Sequence, residues 1–134
     1  MASLLAGRRP ANLGAKDGRL APPKSTPNCV SSQADAADRG HYVAPIAFRA
    51  GAAEAMAAAA HAVKSLDGSS IVRQTDHYLY AECRSRLLGY VDDLELLFEE
   101  AGGLFQVRSA SRLGRRDFGV NRKRVEALRA LLAR

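Results

Sequence analysis

Apolar residues recur at helical spacing in two parts of the chain. The first part, residues 51–66, is rich in alanine, the strongest helix former, and its apolar positions fall on one stripe. The stripe consists of Met56, Ala59, Ala60, Val63 and Leu66. Gly68 follows at a position suited to a left-handed cap. The spacing therefore predicts a helix over residues 51–66.

The second periodic part, residues 122–133, lies at the C-terminal end of the sequence. Its apolar stripe consists of Val125, Leu128 and Leu132. Asn121 precedes it and is a good residue for an N-cap. The pattern predicts a second amphipathic helix, with its arginines in water. These are Arg122, Arg124 and Arg129.

Strand-like segments, several with alternating apolar and polar residues, lie between the two predicted helices. The segments are residues 71–75, 78–86, 90–99 and 104–112. Asp76-His77 and Gly102-Gly103 stand at two of the expected turns. A further apolar segment, residues 41–48, is interrupted by Pro45 and predicts a short or edge strand.

These elements follow one another in the order β-α-β-β-β-β-α. Amphipathic helices and a sheet with one apolar face are buried most simply against each other. We therefore expect an α+β fold, with an antiparallel curved sheet of about four to five strands and two helices packed on one face. A single domain is predicted over residues 28–134, beginning with a loop to residue 40. Residues 1–27, rich in proline and without periodicity, are predicted to be a mostly irregular tail.

Composition adds a charge asymmetry to this picture. The chain of 134 residues is long enough for one hydrophobic core, and its formal net charge is +6. Residues 108–134 hold nine basic residues against two acidic ones. Such a local excess attracts phosphate or acidic surfaces. The two cysteines, Cys29 and Cys83, lack metal-ligand spacing, so we expect independent thiols, no metal site and no cofactor.

Hydropathy also bears on location. No apolar run approaches the roughly 20 residues that a membrane span requires. The apolar run at the start of the sequence is too short for a signal peptide. We expect no membrane span and a cytoplasmic location, and the lack of acidic residues before Asp17 leaves organelle targeting open.

The basic segment contains the best candidate for a binding site. Arg108 and Arg112 project from one face of a predicted strand, and Arg122 opens the last helix. Free N–H groups at a helix N-terminus and arginine side chains both bind phosphate or carboxylate. The candidate binding residues are Asp92, Arg108, Ser109, Ser111, Arg112, Asp117, Asn121 and Arg122.

The same residues also have a structural interpretation, which we favour. In that interpretation the arginines at 108, 112 or 122 pair with Asp93, Glu95 or Asp117, and Asn121 helps to hold the loop. Asp92 falls on the apolar face of its strand, where a lone charge is costly, so a structural ion pair is expected. Its possible partners are Arg84, Arg86, Ser109 and Ser111. A ligand-binding acid is the alternative for Asp92.

Five segments resemble domain-of-unknown-function family 1499, which occurs in bacteria and chloroplasts. They are Pro27-Asn28-Cys29-Val30-Ser31-Ser32-Gln33, His41 with Pro45-Ile46, Val91-Asp92-Asp93, Arg108-Ser109-Ala110-Ser111-Arg112, and Asp117-Phe118-Gly119-Val120-Asn121-Arg122-Lys123-Arg124-Val125-Glu126. The likeness runs from about Leu13 to the C-terminal end and implies no established activity. The family often has a cysteine at the position of Pro23, so the resemblance implies that Cys29 has lost a possible partner. Many members also carry an N-terminal export or anchor segment, and none is evident here.

Three functions are compatible with these residues. The leading one is a non-enzymatic binding or accessory domain, which holds an anionic or amphipathic small molecule or a partner protein near residues 108–124. One alternative is an enzyme using Asp92, or Cys29 with His41 as a possible base, although we assign no catalytic residue. The other alternative is a weak nucleic-acid binder. Nucleic acid is not expected as a partner, because interleaved aromatic residues and a helix-turn-helix or zinc motif are missing.

Overall fold

The computed structural model describes residues 4–134, and residues 1–3 of the predicted tail lie outside that range. The described residues form an α+β fold with one antiparallel sheet, which confirms the predicted class. The elements are a 3-10 turn (Leu4–Ala6), β1 (Cys29–Ser31), β2 (Ile46–Ala47), α1 (Ala52–Lys64), β3 (Ser69–Gln74), β4 (Tyr78–Arg84), β5 (Val91–Glu99), β6 (Leu104–Ser111) and α2 (Val120–Leu131). Within the described residues, no helix has the length and apolar character needed to cross a bilayer.

The sheet is built around the long strands β5 and β6. The strand order is β1-β6-β5-β4-β3, and β2 also pairs with β6. Strand β5 pairs with one edge of β6, and the two short strands β1 and β2 both pair with the other edge. Strand β1 pairs there around Ser109, and β2 pairs around Phe105. Strands β3 and β4 form the predicted antiparallel hairpin, with Asp76-His77 in the connection.

The strand β1 is the element that the sequence pattern does not reveal. Its three residues lie in the stretch that we expected to be a loop, and three residues are too few to display an alternation. They become a strand through distant pairing, in which Cys29 faces Ala110 and Ser31 faces Arg108. The predicted strand over residues 41–48 is reduced to β2, next to Pro45, which has no N–H to donate.

One face of the sheet and both helices contribute to a single hydrophobic core. Helix α1 contributes Met56 and Val63, and helix α2 contributes Val125 and Leu128. The sheet residues in this core are Leu79, Ala81, Cys83, Leu94, Leu96, Phe98, Phe105 and Val107. These positions alternate along β4, β5 and β6, so the period of two places every second residue on the opposite face.

The opposite face of the sheet lies under the N-terminal segment, residues 4–27. Leu20 packs there with Tyr78, Tyr80 and Leu97. The backbone N–H of Gly14 donates a hydrogen bond of 2.8 Å to a carboxylate oxygen of Glu95. Both faces of β5 are therefore covered, and every residue of that strand except Glu99 is buried, including Asp92, Asp93 and Glu95.

Gly68 enables a close backbone approach directly after α1. Its φ of +75° is left-handed, and a Cβ added there would lie 2.2 Å from the carbonyl oxygen of Arg84. We expect Gly68→Ala to lower the free energy of unfolding by about 2–3 kcal/mol, because the side chain adds left-handed strain and forces the backbone of β4 to move. Urea denaturation measures this loss.

Gly18→Ala is the matched control for that prediction. Gly18 has a similar φ of +73°, but no atom lies within 4 Å of its ideal Cβ. The control variant is expected to lose only about 1 kcal/mol, the cost of left-handed strain alone. Equal losses in the two variants would contradict the importance of the contact with Arg84.

Candidate functional site

A cleft of about 760 Å³ opens at the end of the sheet, where β4 ends, β5 begins and β6 ends. The end of β4 and the turn after it contribute to the lining, together with residues 111–114, residues 116–118 and two residues of α2, Val120 and Arg124. The larger apolar residues of the lining are Leu5, Tyr90, Val91, Leu113, Phe118 and Val120. Its cationic side chains include Arg84, Arg86, Arg116 and Arg124. The cleft therefore combines an apolar lining with a local excess of positive charge.

An ion pair between Asp92 and Arg124 lies in the lining of this cleft. Oδ2 of Asp92 is 2.9 Å from Nη2 of Arg124, and both side chains are largely buried. Asp92 thus has the structural ion pair that was expected. The partners predicted for it, Arg84, Arg86, Ser109 and Ser111, were wrong. Arg84 instead donates to the carbonyl of Gly89, and Arg86 pairs with Asp67 at 3.0 Å on the surface.

Arg124 was predicted to remain in water, and this was wrong. Its side chain is 14% exposed, because α2 lies along β6 and directs this arginine toward the sheet. Besides Asp92, its guanidinium donates to Oγ of Ser109 at 3.1 Å and to Oδ1 of Asn121 at 2.8 Å. A cation that neutralises Asp92 and also bonds two neutral side chains is a structural group rather than a free anion binder.

Asn121 is the centre of the polar cluster behind the ion pair. Its side chain is fully buried, and its oxygen accepts a hydrogen bond of 2.7 Å from the hydroxyl of Ser109. Its amide nitrogen donates to Oγ of Ser111 at 2.9 Å and to the backbone carbonyl of Asn28 at 3.2 Å. The same nitrogen lies 2.8 Å from Oδ2 of Asp117. Asn121 therefore connects β1, β6, α2 and the loop before α2.

The prediction of Asn121 as N-cap was wrong by two residues. The N-cap is Gly119, and Asn121 lies inside the first turn of α2. Asp117 accepts hydrogen bonds from the backbone N–H groups of Gly119 and Asn121, both at 3.0 Å. Burial opposes the ionisation of Asp117, but the hydrogen bonds from Asn121 and Gly119 outweigh it and lower the pKa of this carboxyl group.

The strand arginines of the candidate site lie on the opposite face of the sheet. Arg112 contacts Asp93 through two hydrogen bonds, of 2.9 and 2.8 Å, and lies 2.7 Å from Glu82. This confirms the structural pairing of Arg112 with Asp93. Arg9 of the N-terminal segment approaches Glu82 from outside, at 2.8 Å, and the hydroxyl of Tyr80 donates to Asp93. Arg112 also reaches the cleft lining, but its guanidinium is held by these acids.

Glu95 and Arg108 face each other across β5 and β6 on the same covered face. Tyr78 and the N–H of Gly14 donate to one oxygen of Glu95, and its other oxygen has no partner among the described residues. Burial raises the pKa of this carboxyl group despite those hydrogen bonds. Arg108 donates to the carbonyl of Pro22 under the N-terminal segment. Neither side chain lines the cleft.

The side chain of Arg122 lies neither with the Asn121 cluster nor on the face of Arg108 and Arg112. Its guanidinium donates to backbone carbonyls of the loop after β1, at Arg39, Gly40 and Tyr42. The eight candidate residues thus fall into three groups. The first group consists of residues that the structure brings together, Asp92, Ser109, Ser111, Asp117 and Asn121. The second group, Arg108 and Arg112, lies on the opposite face of the sheet, and the third is Arg122 alone.

Comparison with known proteins places the chain in a family. The family model described as "Protein of unknown function (DUF1499)" matches residues 19–132, which is nearly the whole chain. The chain belongs to the DUF1499 family. No curated protein and no solved structure matches it.

Four of the five segments that suggested DUF1499 meet in the polar cluster. They contribute Asn28, Asp92, the serines of β6 and the pair Asp117 and Asn121. His41 of the remaining segment contacts β1 through its backbone, where its carbonyl accepts a hydrogen bond of 2.7 Å from the N–H of Ser31. Its ring nitrogens lie 2.7 Å from Asp38 and 2.9 Å from the carbonyl of Thr26. In this DUF1499 chain the segments therefore serve to lock the N-terminal part of the domain onto β6 and α2.

The two thiols of this DUF1499 protein are free and buried, as expected. Cys29 lies in β1, and both ring nitrogens of His41 are already engaged by other groups. Cys83 lines the cleft, and burial raises the pKa of its thiol although Arg124 opposes this. Within residues 4–134, no group of three or more potential ligands is placed to hold a metal ion.

Large apolar side chains stand exposed around the cleft. Leu87 and Phe118 are 89% and 88% exposed, and Leu88, Tyr90, Leu113 and Val120 are also exposed. Sequence reasoning assigned Leu88 and Phe118 no role, because exposure depends on tertiary packing. The arginines beside Phe118 gave a signal, because Arg115 and Arg116 fall outside the predicted helices and strands. Arg84 and Arg86 gave none, because both lie within the predicted strand over residues 78–86.

Proposed function

We propose that this protein is a non-enzymatic binding domain that holds a small amphipathic anion in the cleft at the end of the sheet. The observation that carries the proposal is the combination of an apolar lining with the exposed cation of Arg116. The volume of about 760 Å³ is that of a site for a small molecule.

The apolar part of the lining favours a ligand with a hydrocarbon portion. Tyr90, Leu113, Phe118 and Val120 are large side chains that lie more than one-third exposed to water. Covering them with a ligand removes apolar surface from water at about 25 cal/mol per Å². A purely polar ligand would not obtain this favourable free energy, because it has no hydrocarbon surface to place against these side chains.

The charge of the lining favours an anionic head group. Asp92 is already neutralised by Arg124, and Asp117 is bonded to the start of α2. Arg116 has no hydrogen bond or ion pair with the described part of the chain. A carboxylate or phosphate that enters the cleft thus meets a free guanidinium, which matches the geometry of either group.

Binding rather than catalysis is also supported by the state of the possible reactive groups. Asp92 is held by an ion pair, and Cys29 is fully buried in β1. A general base or nucleophile must instead reach the reacting atoms.

The proposal is tested by thermal denaturation with dodecyl phosphate, dodecanol and inorganic phosphate, each below its aggregation concentration. Dodecyl phosphate is expected to raise Tm by several degrees, and either fragment alone by much less, because only the complete amphiphile uses both parts of the lining. Arg116→Gln is expected to weaken binding by about 1 kcal/mol, or fivefold.

Arg115→Gln is the matched control, since Arg115 is an exposed neighbour that does not line the cleft. Val120→Trp provides a second test, because Val120 is half-exposed at the start of α2 and a larger side chain there fills the cleft. It is expected to abolish the effect of dodecyl phosphate on Tm. The same stabilisation of Val120→Trp and of the unmodified protein would refute the cleft as the binding site.

A further inference from the structure

We propose that the mouth of the cleft is a docking surface for an anionic lipid membrane. The surface consists of two segments that each contribute residues to the cleft lining, the turn of residues 84–90 and the loop of residues 113–118. The inference goes beyond the proposed function, because docking uses the outer residues of both segments and does not require a ligand in the cleft.

Each segment presents a large apolar side chain to water. Leu87 is 89% exposed and Phe118 is 88% exposed, compared with 42% for Val72 in β3 and 51% for Leu131 in α2. Leu88 and Leu113 add further exposed apolar area beside them. Removing this surface from water is favourable, and a hydrocarbon boundary can receive side chains of any shape.

The backbone around Phe118 indicates that its exposure is built into the fold. Phe118 has a φ of +53°, a left-handed conformation that is unfavourable for a bulky residue. Asp117 fixes this turn by accepting hydrogen bonds from the N–H groups of Gly119 and Asn121. The domain thus holds an aromatic ring outward at an energetic cost, and such strain tends to occur at functional positions.

The charges of the two segments complement an anionic surface. Four exposed arginines lie beside the apolar tips, two in each segment. They are Arg84, Arg86, Arg115 and Arg116. Asp117 is the one acidic residue in these two segments, and its carboxylate is directed to the start of α2. Asp67, from outside the segments, pairs with Arg86 at 3.0 Å, so Arg84, Arg115 and Arg116 carry the positive charge that has no acidic partner among residues 4–134. Arginine near an anionic bilayer binds headgroups, while the adjacent apolar tips enter the interface.

A membrane fits this arrangement better than a folded partner. Two separate, almost completely exposed side chains, each with its own pair of arginines, need no matching pocket in a fluid interface. A protein partner would instead have to provide two shaped pockets and acidic groups at four positions. Both segments contribute residues to the cleft lining, so docking would bring the cleft close to the bilayer from which an amphipathic ligand is supplied.

Sedimentation with phosphatidylcholine vesicles, with and without about a third of phosphatidylglycerol, tests the proposal. The full chain is expected to bind the anionic vesicles at least tenfold more tightly than the neutral ones, and to lose binding as salt increases. Leu87→Ser is expected to weaken vesicle binding about tenfold, and Arg115→Gln about fivefold. Neither residue lines the cleft, so both variants keep their stabilisation by dodecyl phosphate.

Matched controls lie elsewhere on the surface. Val72→Ser and Leu131→Ser remove exposed apolar side chains from β3 and from the end of α2, and Lys64→Gln removes an exposed cation from α1. All three are expected to bind vesicles as the unmodified protein does. Phe118→Gly relieves the left-handed strain, so it is expected to keep or raise Tm while it weakens vesicle binding.

The outcomes separate this inference from the proposed function. If Val120→Trp still binds vesicles but its Tm no longer rises with dodecyl phosphate, the result supports both membrane docking and ligand binding in the cleft. Equal binding to neutral and anionic vesicles, no binding to either, or equal weakening in the control variants overturns membrane docking. A dimer that dissociates in Leu87→Ser, without any vesicle binding, also overturns it and assigns the surface to a second copy of the chain.

Discussion

Replacing Asn121 with alanine is expected to lower the free energy of unfolding by about 3–4 kcal/mol. The side chain is fully buried and forms hydrogen bonds with groups on three other segments. Truncation removes them together. It removes the acceptor of the Ser109 hydroxyl and one of two donors to the carbonyl of Asn28, which keeps its hydrogen bond from the backbone N–H of Ser111. A buried polar group that loses its partner costs about 1–3 kcal/mol.

The variant Asn121→Asp separates the contribution of side-chain size to stability from the contribution of the hydrogen bonds that the amide nitrogen donates. The variant keeps the size of the side chain but replaces the donating nitrogen with an oxygen, which would face the carboxylate of Asp117 and the carbonyl of Asn28. Repulsion between these oxygens is expected to make it at least as unstable as the alanine variant at neutral pH. Equilibrium urea denaturation measures both.

Lys123→Ala is the control in the same helix. Lys123 is exposed two residues further along α2, so its removal is expected to change the stability by less than about 0.5 kcal/mol. A loss below 1 kcal/mol in Asn121→Ala would show that the cluster does not hold α2 to β1 and β6, and it would remove the structural interpretation of these residues.

The elements that the sequence predicted well are those with local signals. Helix α1 follows from its alanines and one apolar stripe, and the hairpin of β3 and β4 follows from two segments around Asp76-His77. Strand β1 carries no such signal, because its regular structure comes from pairing with β6, far away in the chain. The cover of the second face by residues 4–27 is equally non-local, since that segment has almost no regular structure of its own.

The candidate site shows the same division. Alternation along β5 and β6 correctly places Asp92 with Ser109 and Ser111 on the helix face. It also places Arg108 and Arg112 on the other face, which already argued against one site containing all of them. Pairing of Asp92 with Arg124 could not be predicted, because it depends on how α2 is rotated against the sheet.

Arg112→Met is expected to lower the free energy of unfolding by about 3–5 kcal/mol, because it leaves Asp93 buried without its cation. The side chain of Asp93 is 1% exposed, and Arg112 contacts both of its oxygens. Hydrogen bonding to Asp93 raises the pKa of Arg112, although burial opposes this, so the guanidinium is charged at neutral pH. Glu82 loses less, since Arg9 remains 2.8 Å away.

A double-mutant cycle with Asp93→Asn separates the ion pair from the packing of its members. Removing both charges together should cost less than the sum of the single losses by about 2 kcal/mol, because the double variant contains no unpaired buried charge. Arg115→Met, a nearby exposed arginine, is the control and is expected to change stability little. Additive losses in the cycle would contradict a coupled pair and leave only the loss of hydrocarbon packing to explain the effect of Arg112→Met. Coupling of about 2 kcal/mol would show that the buried ion pair, and not the packing of Arg112 alone, stabilises the sheet face that residues 4–27 cover.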